Sequence, residues 1–284
     1  MGQWDAWIGR QQTQSDIVDQ ALAARWLATF NRTSINHRAL PQGIHFALCT
    51  PLSPTGELGV DGHPLRSDAP DSLLPPIPLP RRMWASSEIE FLRPISRAQR
   101  IERTSTVRSI TEKSGSSGSL AFVEVEHATR ADGSDAIREV QTLVYREAAA
   151  PDAPLSPPAP EAGEFAEDDW DAATTLVPSE TLLFRYSALT FNTHRIHYDL
   201  PYARDVERYR GLVVHGPLIA SLLLKLAAET YGENALASFG FRAISPAICG
   251  EALHLAMRAD GDGVELGAFA ADGRQTLKAN ATLA

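Results

Sequence analysis

The run GLVVHGPLIASLLLKLA (211–227) sets the tightest limit on what this chain can become. Its spacing predicts a helix over 217–231 that is apolar on almost every side, and a helix of that kind has to be enclosed by other structure. The stretch 218–228 is too short to span a bilayer and carries Lys225, so it reads as a buried core helix. Pro217 sits at the first helical position, where its missing N–H costs nothing. Burying this helix start brings its orphan N–H groups inside the protein, where they need an acceptor. A ligand carbonyl or a developing oxyanion would suit both those donors and the positive end of the helix dipole. Gly216 would let such a ligand approach the backbone closely. A tight turn into a core helix is the plainer use of the same glycine.

Strands supply the enclosure. Four strand-like runs are predicted at 83–91, 99–111, 120–129 and 136–145. FVEVEH alternates apolar and charged residues, as a half-buried antiparallel strand should. SGSSGS (114–119) and RADGSD (130–135) break them as turns. SGSSGS lacks the ending of a phosphate-binding loop. A second set is predicted at 236–243, 251–259, 264–271 and 275–283, with hairpin turns at DGDG and ADGR. A further strand is expected over 181–189. In the first half, SDIVDQALAARWLATF (15–30) has helical spacing with Ser15 as its expected N-cap.

The halves match locally: PISRAQRI (94–101) and PAICGEAL (246–253) are offset by 152. A helix followed by antiparallel strands, used twice, is the pattern of two curled sheets, each wrapping one helix. The expected fold is α+β, a double hotdog. Residues 1–147 form a degenerate first hotdog, 148–169 an Ala/Pro-rich linker, and 170–284 the second hotdog. Proline-rich residues 50–80 are expected to be a loop or an arm around the first half.

The chain has 284 residues and a net charge of −9, with no basic run, so nucleic acid is set aside as a partner. Local arginines could still hold an anionic ligand. Cys49 and Cys249 fit free thiols in a reducing compartment. The N-terminus lacks the pattern of a signal peptide, and a cytoplasmic, non-membrane protein is expected.

Chemistry concentrates in FNTHRIHYD (191–199). His194 and His197 with Asp199 or His215 could be read as a metal site. Bare HxxH is a weak signal, though, and no acidic base lies between the histidines. His194 alone reads as a loop residue. Together, ALTFNTHRIH (188–197) and VVHGPLIASLL (213–223) resemble the MaoC-like hydratase/dehydratases, whose motif runs roughly A-L-[ST]-G-D-x-N-P-x-H with V-H-G and an apolar helix downstream. FRYSALTFNTHRIHYD, RRMWASSEIEFLRPI and KSGSSGSLAFVEVEH resemble the type-2 hydroxyacyl-thioester dehydratases, in the branch that holds the mesaconyl-C4-CoA and itaconyl-CoA hydratases. IHFALCTP (44–51) replaces a more aromatic stretch of that branch.

The resemblance implies reversible hydration of an α,β-unsaturated acyl-CoA, without metal or cofactor. It implies His197 as acid/base and the Gly216 N–H as oxyanion hole. Asn192 stands where the family has a catalytic Asp, so it would orient water, which leaves proton transfer to His197. His194, Tyr198, His215 and Pro217 would line the substrate. Arg195 is the first choice for a substrate carboxylate, ahead of Arg185, Arg242, Arg81 and Arg82, although it could equally brace the loop by pairing with Asp199. One site per chain is implied, in a monomer or homodimer. A dehydratase of fatty acid synthesis and a non-catalytic acyl-thioester binding protein are the competing functions.

Overall fold

The computed structural model describes residues 3–32, 39–115 and 118–284. The tip of the SGSSGS turn, 116–117, lies outside the described residues. The first half runs β1 (Gln11–Ile17), α1 (Gln20–Thr29), β2 (Arg81–Phe91), β3 (Arg100–Gly115), β4 (Gly118–Ala131) and β5 (Ser134–Arg146). The second runs β6 (Ala172–Leu176), α2 (Glu180–Thr190), α3 (Gly216–Tyr231), β7 (Leu236–Ala243), β8 (Leu253–Asp260), β9 (Gly263–Ala270) and β10 (Gln275–Leu283).

The eight strands expected of the two hairpin sets are present, with ends shifted by a few residues. Their order is β1-β3-β4-β5-β2-β7-β10-β9-β8-β6. This is one antiparallel order written forwards and then backwards. The halves join where β2 pairs with β7, Ile89 opposite Phe239 and Ser87 opposite Phe241. Two hotdog sheets therefore fuse into one ten-stranded sheet, which leaves no exposed edge between them. The offset of 152 is structural as well. Leu40 N–H bonds to Ile95 O, and Val214 N–H bonds to Ala247 O, which is Ile95 plus 152. Ala98 N–H bonds to Val18 O, and Gly250 N–H to Pro178 O; the donors are again 152 apart, the acceptors 160.

Two expectations fail. The run 181–189 is helix α2, not a strand. Ser179 caps it by accepting from Leu182 N–H at 3.2 Å. Its buried residues Leu183, Tyr186 and Leu189 recur every third position, a helical stripe. The helix expected over 15–30 is shorter. Ser15 lies in β1, and Asp19 is the cap, accepting from Leu22 N–H at 2.5 Å. Strands β1 and β6 have no strong alternation and escaped the sequence reading; both are edge strands.

α1 and α2 are counterparts at an offset of 160, Gln20 to Glu180, and among the described residues of the first half α3 has no counterpart of its length. In its place the first half carries a single 3-10 turn, Ile44–Ala47. The second-half sheet packs on α3 through Phe239, Leu255, Leu266 and Ala279, all buried in the main core. The first half lacks that helix, and a cavity opens instead. The Pro-rich arm crosses to the second half, where Asp61 O accepts from Arg195 N–H and Gly62 O from the Thr193 hydroxyl. The Ala/Pro-rich segment is pinned at Ser156, which exchanges backbone bonds with Arg208 and Arg210. Among the described residues no helix is long and apolar enough to cross a membrane.

Candidate active site

α2 ends at Phe191, whose left-handed backbone (φ +49°) turns the chain sharply into the histidine loop. Asn192 Oδ1 then accepts from His194 N–H at 2.9 Å, closing the turn. That leaves the Asn192 amide NH₂ as its free donor group. A 3-10 turn over Arg195–His197 carries the next residues. His197 is buried, and its Nδ1 lies 2.7 Å from Val213 O. A carbonyl only accepts, so Nδ1 carries the proton and Nε2 is the available base.

α3 starts beside it. His215 precedes the helix, and its ring stacks on His197 with centroids 3.5 Å apart. Ser187 of α2 reaches His215 Nε2 at 2.9 Å. Gly216 is the first helical residue, so its N–H has no acceptor within the helix. A Cβ on Gly216 would meet no atom within 4 Å. The backbone there faces open space, not packed core. His197, Asn192, Gly216, His194 and Pro217 all line one cavity of roughly 1360 Å³.

Burial keeps these imidazoles uncharged. It pulls His197 down to about 4, against the opposing effect of the Val213 bond, and nearby His63 adds to the lowering. Burial also holds His215 well below the usual histidine range, aided by His197. His194 is lowered too, by burial first and then by His63.

The arm adds residues that the sequence did not single out. His63 stacks on His194 with centroids 4.1 Å apart, and its Nδ1 hydrogen-bonds Asp61 at 2.9 Å. Asp61, His63 and His194 bring three donor atoms within 4.8 Å of one another. A metal, were one held here, would use this trio rather than His197, His215 or Asp199. Nothing local in the sequence marks His63, which sits in an irregular stretch and reaches the site only through tertiary contact.

Arg195 is placed differently from the role first given to it. Its guanidinium binds Asp199 at 2.7 and 3.0 Å and Val60 O at 2.9 Å, and lies over the Tyr202 ring. It braces the loop and is not on the cavity wall. Tyr198 is exposed and also off the wall. Among the other arginines considered, Arg81 lines the cavity but is paired with buried Glu207. Arg82 lines it too, and Arg185 and Arg242 do not.

A fused pair of hotdogs, with a histidine loop beside a buried helix start, is the frame of a double-hotdog hydratase/dehydratase. Residues 43–249 match the family model for hydroxyacyl-thioester dehydratase type 2, and the chain belongs to that family. It is 42% identical over 285 residues to the mesaconyl-C(4)-CoA hydratase of Chloroflexus aurantiacus, covering 99% of this chain and 98% of that one. It is 28% identical to the mitochondrial hydroxyacyl-thioester dehydratase type 2 of Schizosaccharomyces pombe, over 79% of each chain. Among solved structures, a MaoC-like dehydratase from Phytophthora capsici superposes with a TM-score of 0.70 at 13% identity, covering 97% of this chain and 95% of that one. A Mycobacterium tuberculosis protein described as having a double hotdog fold gives 0.57 at 14% identity, covering 97% and 96%.

Proposed function

We propose that this chain reversibly hydrates the double bond of an α,β-unsaturated acyl-CoA, with mesaconyl-C4-CoA as its first substrate. The observation that carries the reading is the convergence of His197, Asn192 and the Gly216 N–H on one cavity. The relative at 42% identity over nearly the whole chain supports the substrate.

In this scheme the thioester oxygen accepts from the Gly216 N–H. The positive end of α3 favours the charge that gathers on that oxygen. The β-carbon becomes electrophilic. Asn192 holds a water through its amide NH₂. The water oxygen bonds to the β-carbon as His197 Nε2 takes its proton. The π electrons move to the enolate, which takes the proton back from His197 at the α-carbon. One water is added, no redox change occurs, and every group comes from this chain.

The direct test is a panel of unsaturated acyl-CoAs followed by loss of enoyl-thioester absorbance. Mesaconyl-C4-CoA should give the highest kcat/KM. Activity confined to acyl-carrier-protein thioesters would instead mark a fatty-acid dehydratase, and no turnover of any thioester would mark a binding protein.

The pH profile follows from His197. Hydration needs its neutral form, and burial lowers its pKa to about 4. Hydration kcat/KM should therefore hold steady as pH falls from 7 through 6 and drop only near 4. An acid limb centred near the ordinary histidine value of about 6.5 would place a different, solvated base in the reaction.

A further inference from the structure

A water has four bonding positions, and three are taken in the reaction proposed above. One lone pair accepts from the Asn192 amide, the other attacks the β-carbon, and one hydrogen goes to His197 Nε2. The second hydrogen stays on the product hydroxyl, and in an enclosed site it needs an acceptor throughout. Asn192 does not supply one. Its Oδ1 takes the His194 N–H, and it meets the water through its NH₂. A carboxylate at 192 would have accepted that hydrogen.

The arm brings an acceptor to the same place. His63 lines the cavity together with Asn192, His197 and Gly216. Its ring stacks on that of His194, which meets the His197 ring with centroids 5.5 Å apart. The His63 side chain is 21% exposed, so one edge of it stays open. Asp61 decides which edge. Its Oδ1 accepts from the His63 backbone N–H at 3.0 Å, and its Oδ2 lies 2.9 Å from the ring Nδ1. A carboxylate only accepts, so Nδ1 carries the proton and Nε2 keeps its lone pair. Val213 O imposes the same state on His197.

Electrostatics agree with this assignment. Burial opposes the Asp61 charge, but the bonds to His63 outweigh it and hold the carboxyl below its usual range. Burial, and then the Arg82 charge, lowers His63 as well, so its ring is neutral near pH 7. The Arg82 charge acts on Asp61, His63 and His194 alike, which disfavours a cation among them and suits a neutral guest. No hydrogen bond among the described residues fixes the tautomer of His194 in this way.

We propose that His63, oriented by Asp61, accepts the second hydrogen of the attacking water and so aims its lone pair at the β-carbon. His63 moves no proton, and His197 keeps that role. The pair restores the acceptor that an amide at 192 removes. The proposal rests on the hydration reading above, and it adds a water-positioning residue that comes from the other half of the chain.

The test compares His63→Phe with Asp61→Asn in enoyl-CoA hydration. His63→Phe keeps a ring against His194 and removes the acceptor. Asp61→Asn keeps the shape of both side chains but inverts the acceptor. The His63 backbone N–H still requires the amide oxygen, so the new NH₂ faces Nδ1, which must then accept, and the proton moves to Nε2. Each variant should lower kcat about a hundredfold, with KM within about threefold of wild type. Butyryl-CoA has no double bond to hydrate, and calorimetry should show that both variants bind it as the wild type does. In the double variant the losses should not multiply, because both changes remove the same acceptor. A residue that only propped the histidine loop would not sense the shift of one proton between two ring nitrogens. Wild-type kcat in either folded variant overturns the proposal. So do losses that multiply in the double variant, or that fall on KM and butyryl-CoA binding instead of kcat. A wild type that hydrates no enoyl-CoA removes the reaction itself, whereas full hydration with indifferent variants removes only the role of His63.

Discussion

His197→Ala should lower hydration kcat by about a thousandfold, within the range known for positioned acid–base groups. The size follows from the residue at 192. A carboxylate there could share the proton transfers, but an amide cannot. With Asn192 in that place, residue 192 supplies no second base when the imidazole is lost. Asn192→Ala should therefore cost less, about a hundredfold, and mostly in kcat, because water positioning matters most in the transition state. Stopped-flow loss of enoyl absorbance measures both, with circular dichroism confirming that each variant is folded. Turnover within tenfold of wild type in folded His197→Ala would remove this histidine from the chemistry. An equal loss in both variants would mean that the two act as one unit.

The second large effect is expected at a glycine far from the chemistry in sequence. Gly62 has φ +86°, and a Cβ there would lie 1.9 Å from Thr193 O and 2.8 Å from Thr193 C. Both are backbone atoms, so no side-chain rotation relieves the clash. The left-handed conformation alone disfavours alanine by about 1–2 kcal/mol. Moving the arm would also disturb Arg195 N–H to Asp61 O and the stacking of His63 on His194. Gly62→Ala should destabilise by about 3 kcal/mol or more and lower kcat/KM with it. Gly56→Ala is the control. Its Cβ would meet no atom within 4 Å, and the change should stay within about 0.5 kcal/mol. Urea unfolding of both variants decides it. A Gly62→Ala protein as stable as the control would show that the arm does not hold the histidine loop.

Much of the fold was legible because its signals are local. The α3 run is apolar on all faces, and its His-Gly-Pro start is a property of three adjacent residues. The alternation of FVEVEH and the turn pairs of the hairpins are equally short in range, and so is the 152-residue repeat. α2 misled because a short half-buried helix has few apolar positions, and LLFRYSAL satisfies a strand pattern nearly as well. Only the Ser179 cap and the Leu183–Tyr186–Leu189 stripe distinguish the two.

The candidate site divides in the same way. Asn192, His197 and Gly216 were visible because their motif lies in two short contiguous segments, 188–197 and 213–223. Arg195 was not assignable from sequence. A guanidinium inside a histidine loop can face a ligand or its own neighbours, and Asp199 four residues on captures it. His63 reaches His194 across 131 residues, by way of an arm with no periodic signal at all.

By itself, then, the sequence determined a double hotdog, its buried helix and the residues at that helix's threshold, because each is written in contiguous residues. The tertiary structure alone decided which arginine faces the cavity, which histidines touch, and that His63 enters the site from the arm. Those facts depend on how the arm and the two halves meet, and no stretch of the chain contains both sides of that contact.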